Sequence, residues 1–151
     1  MANPENIRDL LARFLVDQRV SVLATESNGQ PHTSLMAFAM EKDLKSMVVA
    51  TRCDTKKHKN LLDNPRVSLL ADNRAEGFQN PQNALAVTIT GTAEQMEGNA
   101  RETAKEWFLR IHPEFVSLTK RPDCAIWRIR VESYQVVKGF DTLDIWRLNG
   151  R

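Results

Sequence analysis

Ten consecutive residues hold the densest chemistry in this chain: Ala50-Thr51-Arg52-Cys53-Asp54-Thr55-Lys56-Lys57-His58-Lys59. They read as a strand ending in a hydroxyl, a short loop, and a helix whose first turn is cationic. A helix start carries the positive end of the backbone dipole and exposes free N–H groups, so acidic residues are its usual occupants. Here Arg52, Lys56, Lys57 and Lys59 stand against Asp54 alone. Cations are unfavourable at this end unless an anion sits among them. Backbone N–H groups, a threonine hydroxyl and lysine ammoniums together make a phosphate site. A solvated basic turn is the other reading of the same residues. A nucleic-acid surface needs several phosphate contacts and, for single strands, stacking aromatics, and this run has no aromatic residue.

The other reactive side chains are scattered. His32, His58 and His112 form no metal-ligand spacing, so no metal site is expected. Cys53 stands near Lys56 and Lys57, which would lower a thiol pKa; a loop cysteine without a role is the plainer reading. Trp107, Trp127 and Trp146 read as core or interface residues.

The elements that must position the basic run follow from periodicity. Residues 3–17 predict a helix, capped by Asn3, with Ile7, Leu10, Leu11, Phe14 and Leu15 on its buried face. A strand over 20–25 and a return strand over 32–40 flank Asn28-Gly29, the strongest short hairpin signal. Residues 46–51 predict a strand buried on both faces. Residues 55–63 predict a short helix capped by Thr55 and stopped before Pro65. Strands over 66–71 and 84–96 follow, the second with a bend or bulge at Gly91. A helix over 99–111 turns Ala100, Ala104, Trp107, Phe108 and Ile111 inward. A last long strand covers 124–137, and the tail from 138 receives no assignment. Five or six strands with hairpin connections and three peripheral helices make a mainly β antiparallel fold, closed towards a barrel. The tight first hairpin excludes a doubly wound parallel sheet.

Composition sets the outer bounds. With 151 residues, 42% hydrophobic and 26% charged, the chain has the size of one domain, 1–151. A net charge of +2 gives no general attraction to nucleic acid or membrane. No run approaches the roughly 18 consecutive apolar residues of a membrane span. The polar start lacks the apolar core of a signal peptide. Cys53 and Cys124 lie far apart in sequence with no Cys-x-x-Cys, so a disulfide scaffold and a zinc ribbon are excluded and a cytoplasmic protein with free thiols is expected.

Three stretches carry a family resemblance: Val22-Leu23-Ala24-Thr25 with Gly29-Gln30-Pro31-His32, Met47-Val48-Val49-Ala50-Thr51 through Thr55-Lys56-Lys57-His58-Lys59, and Asn64-Pro65-Arg66-Val67-Ser68-Leu69-Leu70. In order and spacing they resemble the pyridoxamine-phosphate-oxidase-like family of FMN-binding split β-barrels, over residues 7–96. The resemblance implies a six-stranded antiparallel split barrel that forms a homodimer, with two FMN molecules at the dimer interface. It implies that Lys56 and Lys57, beside Thr55, hold the FMN phosphate. Ala50 and Thr51 then line the flavin, and Ser34, Leu35, Met36, Ala37, Phe38 and Ala39 run along the ring system. Backbone N–H and C=O groups can read a flavin edge whatever the side chains are.

The chain also departs from the full oxidases. An Arg and a Lys of those enzymes are matched here by Ser34 and Ala39, and a flavin-contacting Gln by Ala86. Their Arg-x-His substrate pair has no counterpart, because no histidine follows His112. The resemblance therefore implies a cytoplasmic FMN flavoprotein and oxidoreductase of unnamed substrate, without true pyridoxamine phosphate oxidase activity. No nucleic-acid or membrane partner is expected. The alternatives are the same fold holding haem or a deazaflavin, and a non-enzymatic dimeric binding module without cofactor.

Overall fold

The computed structural model describes residues 4–76 and 79–148. Helix α1 (Pro4–Asp17) leads into a hairpin of β1 (Val20–Ser27) and β2 (Gln30–Ala37). Asn3, expected as the α1 cap, lies outside the described residues. At the hairpin tip Asn28 and Gly29 take φ of 54° and 79°, the two positive values a type I′ turn demands. Next come β3 (Ala39–Met40), β4 (Ser46–Arg52), α2 (Lys56–Asp63), β5 (Arg66–Asp72) and β6 (Leu85–Gln95). Then follow α3 (Gly98–Ile111), a short α4 (Val116–Thr119), β7 (Cys124–Lys138) and β8 (Thr142–Arg147). Among the described residues no helix is long and apolar enough to cross a membrane.

All strand pairs are antiparallel, in the order β2-β1-β5-β6-β7-β4-β3. β7 gives one edge to β6 and divides the other between β4 at its start and β8 at its end. The two outermost strands, β2 and β3, are separated in the chain by Phe38 alone. A sheet whose ends are covalent neighbours has to curl round on itself. They do not pair, so the result is an antiparallel split barrel, as expected. Its strands number eight rather than six; the two-residue β3 and the tail strand β8 make the difference.

The return strand expected over 32–40 is broken at Phe38. The Phe38 carbonyl accepts from His112 Nε2 at 2.7 Å, which takes it out of the sheet ladder. β4 is buried on both faces, as its apolar run requires. Met47 and Val49 enter the barrel core, while Val48 and Ala50 face a second cluster with Ala104 and Phe108 of α3. The inward set of α3 is narrower than expected: Ala104 and Phe108 are buried, but Ala100 and Ile111 are exposed. The helix lies against β4 along one stripe only. Gly91 marks the expected bulge, where the β6–β7 register shifts between Thr90 and Gly91.

Candidate functional site

Thr55 caps α2 with extended backbone (φ −84°, ψ 153°), and its hydroxyl accepts from the His58 N–H at 3.3 Å. The same hydroxyl donates to the Arg52 carbonyl at 2.9 Å, an atom that can only accept. Thr51 Oγ1, 3.1 Å from Thr55 Oγ1, must therefore be the donor between them. This chain of hydroxyls ties the end of β4 to the start of α2.

The helix itself is keyed to two strands. Asn60 Nδ2 donates to Thr25 Oγ1 of β1 at 3.0 Å, and Trp127 Nε1 of β7 donates to His58 Nδ1 at 3.1 Å. His58 therefore carries its proton on Nε2, and burial pushes its pKa below the ordinary histidine value. No acidic residue stands in the first turn of α2. Burial and then the neighbouring Arg52 charge lower the Lys57 pKa.

A cleft of about 420 Å³ opens along the split, between residues 35–37 of β2 and residues 50–52 of β4. Thr55 and Lys57 line one part of its wall. Phe108 of α3, His112, Phe115 and Leu118 line another, with Arg19, Val20 and Glu114 beside them. β2 pairs only with β1, so alternate backbone N–H and C=O groups on its other edge have no partner in the sheet.

Of the residues singled out from the sequence, the structure brings Leu35, Met36, Ala37, Ala50, Thr51, Thr55 and Lys57 to one cleft. Ser34, Phe38, Ala39 and Lys56 are not among its lining residues. Phe38 and Ala39 are buried in the two core clusters, because the break in the strand turns their side chains inward. Ser34 Oγ is buried without a hydrogen-bond partner among the described residues, and Lys56 is exposed. Arg52, rather than Lys56, accompanies Lys57 at the α2 end of the cleft, although Asp54 also engages it at 3.0 Å. The Arg19, His112 and Glu114 group was missed: its contacts span 93 and 95 residues of sequence, so no local pattern announces them.

The model of the pyridoxamine 5'-phosphate oxidase family matches residues 5–138. The chain belongs to that family. Solved structures agree in fold. A haem-binding protein of Mycobacterium smegmatis superposes with a TM-score of 0.83 at 20% identity, covering 97% of this chain and 59% of that one. ChuZ of Campylobacter jejuni also gives 0.83, at 15% identity over 98% and 62% of the two chains. A FAD-binding protein of Mesorhizobium loti gives 0.68 at 20% identity over 83% and 87%. At these identities the likeness establishes the fold alone. This family member thus spans about three-fifths of the length of the first two proteins. A search of curated proteins gave no match.

Among the described residues no three His, Cys, Asp or Glu side chains converge as a metal site would require. Within the family framework the cleft is the place where polar donors meet apolar walls. Its Arg52 and Lys57 side chains, with the N–H groups at the start of α2, suit an anion, and its β2 edge suits a flat polar rim. That donor set fits a phosphorylated flavin.

Proposed function

We propose that this protein binds FMN in the split-barrel cleft and works as a flavin-dependent oxidoreductase. One observation carries the reading: the Thr55-capped start of α2, Lys57, Arg52 and the open edge of β2 meet in one cleft. Lys57 and Arg52, with the free N–H groups of the α2 first turn, hold the phosphate. Backbone groups over 35–37 and the Ala50 and Thr51 strand end hold the ring. FMN bound there supplies hydride and electron transfer. The chain's own part is to bind and orient it, which needs no acid or base of its own.

Haem is the second reading, prompted by the haem-binding neighbour. The histidine of the cleft disfavours it. His112 Nε2 is held by the Phe38 carbonyl, and Nδ1 faces Arg19 at 3.3 Å. Neither nitrogen is free to ligate iron.

We also propose a cytoplasmic homodimer. Val20 and Leu35 on the cleft wall are exposed, and the unpaired β2 edge runs beside them. A second copy would cover both. Cys53 and Cys124 are unpaired, which suits a reducing compartment. Sedimentation should give twice the mass of the chain; a monomer at micromolar concentration would reject the dimer.

FMN and riboflavin titrations, read by quenching of flavin fluorescence, test the cofactor. FMN should bind well above riboflavin, and Arg52→Ala with Lys57→Ala should remove most of the difference. Absence of binding by either flavin would overturn the reading.

A further inference from the structure

Trp107 does not line the flavin cleft. With Ile111, one turn further along α3, it reads from the sequence as core, yet Trp107 is half-buried and Ile111 is 37% exposed. On α1, Ala12 and Val16 have the same spacing; Ala12 is half-buried and Val16 is 76% exposed. These four side chains, with Met40 of β3, line an apolar cavity of about 370 Å³. Leu15, Phe38 and Leu44 close it from the core side, so the surface it offers comes from the five that keep area open. Its volume lies at the small end of the roughly 300–1,000 Å³ that small-molecule sites take. It shares no lining residue with the flavin cleft.

A polar hollow adjoins this cavity, and the two share Glu41, Lys42 and Trp107. Arg110 and Arg128 join Lys42 there. Arg128 Nη2 engages the Glu41 carboxylate at 3.2 Å, so these two charges answer each other. Lys42 and Arg110 have no ion pair among the described residues, and Glu106 is the acid left beside them. The Arg110 guanidinium stands 5.6 Å from the centre of the Trp107 ring, which puts a cation at the junction of the two cavities. One net positive charge therefore stands where an apolar pocket ends.

We propose that this second cavity binds a medium-chain fatty acid, with its alkyl tail between α1 and α3 and its carboxylate at Lys42 and Arg110. The walls are aliphatic apart from Trp107, which suits an alkyl chain leaving water. The single net charge matches a singly charged head. The proposal is independent of the flavin reading, because neither cation lines the flavin cleft.

Decanoate, octanoate and decanol are the probes, titrated calorimetrically into the full chain below their micellar concentrations. Decanoate should bind saturably, one per chain. Octanoate, two methylenes shorter, should bind about tenfold more weakly. Decanol, which keeps the tail and loses the charge, should bind about fivefold more weakly than decanoate. Lys42→Gln with Arg110→Gln should remove that difference. Val16→Glu changes an exposed wall residue to an acid and should weaken decanoate about tenfold or more, with the thermal midpoint and FMN affinity unchanged. Absent or unsaturable binding of decanoate, equal affinity for decanoate and octanoate or for decanoate and decanol, or full decanoate affinity in Val16→Glu would overturn the proposal.

Discussion

His112 Nε2 donates to the carbonyl of Phe38 across 74 residues of sequence, at 2.7 Å. This bond joins the end of α3 to the break between β2 and β3. One imidazole thus ties α3, whose Phe108 lines the cleft, to the end of the β2 wall. Replacing it with leucine removes the donor and leaves the Phe38 carbonyl buried without a partner. His112→Leu should destabilise the chain by about 1–3 kcal/mol in urea unfolding and weaken FMN binding. Unchanged stability would mean that the bond does not hold the split.

Acid should weaken the protein through His58. Burial holds its pKa below the ordinary value of 6.5. The folded chain therefore keeps His58 neutral while the unfolded chain takes up a proton. Stability is fully present above about pH 6.5 and falls as pH drops through that value towards the lower folded pKa. His58→Gln, which can still accept from Trp127, should flatten this part of the profile. Thermal midpoints at pH 7.5 and 5.5 check it; an equal fall in both proteins would remove His58 as the cause.

Gly91 has no room for a side chain. A Cβ there would overlap the Arg130 carbonyl oxygen and approach Ile129 Cγ2 to 3.0 Å. The obstacle is backbone in the paired strand and cannot swing aside. Gly91→Ala should lower stability by about 2 kcal/mol or more, or shift the β6–β7 register. A wild-type urea midpoint would contradict the close approach.

Tyr134 is fully buried, and its hydroxyl donates to the Leu44 carbonyl at 2.6 Å. Leu44 sits at φ 63°, a conformation that a leucine seldom adopts. The bond clamps that turn before β4. Tyr134→Phe should lose about 1–2 kcal/mol, since the carbonyl stays buried and unpaired. Hydrogen exchange should then rise first over residues 41–45. Exchange unchanged in that turn would show that Leu44 is held by packing alone.

The parts legible in the sequence are those governed by local rules. Asn28-Gly29 dictates the hairpin, Thr55 and Pro65 bound α2, and the apolar run 46–51 announces a doubly buried strand. The basic run at the start of α2 points to Lys56 and Lys57 for the same reason, since a helix start and its charges are neighbours in sequence, but only Lys57 of the pair lines the cleft. The break at Phe38 was hidden because residues 35–40 are apolar without interruption, and what breaks the strand is an acceptor taken by His112. β8 was hidden because it is a half-exposed strand whose partner, β7, gives it its identity. Arg19, His112 and Glu114 meet only once the sheet has curled, so their cluster belongs to the tertiary fold.

FMN titration of the purified chain tests the central claim most directly. The account predicts saturable quenching of flavin fluorescence at one FMN per chain, much weaker binding of riboflavin, and loss of that difference in the Arg52→Ala, Lys57→Ala double variant. A folded chain that leaves FMN fluorescence unchanged at saturating protein would contradict it.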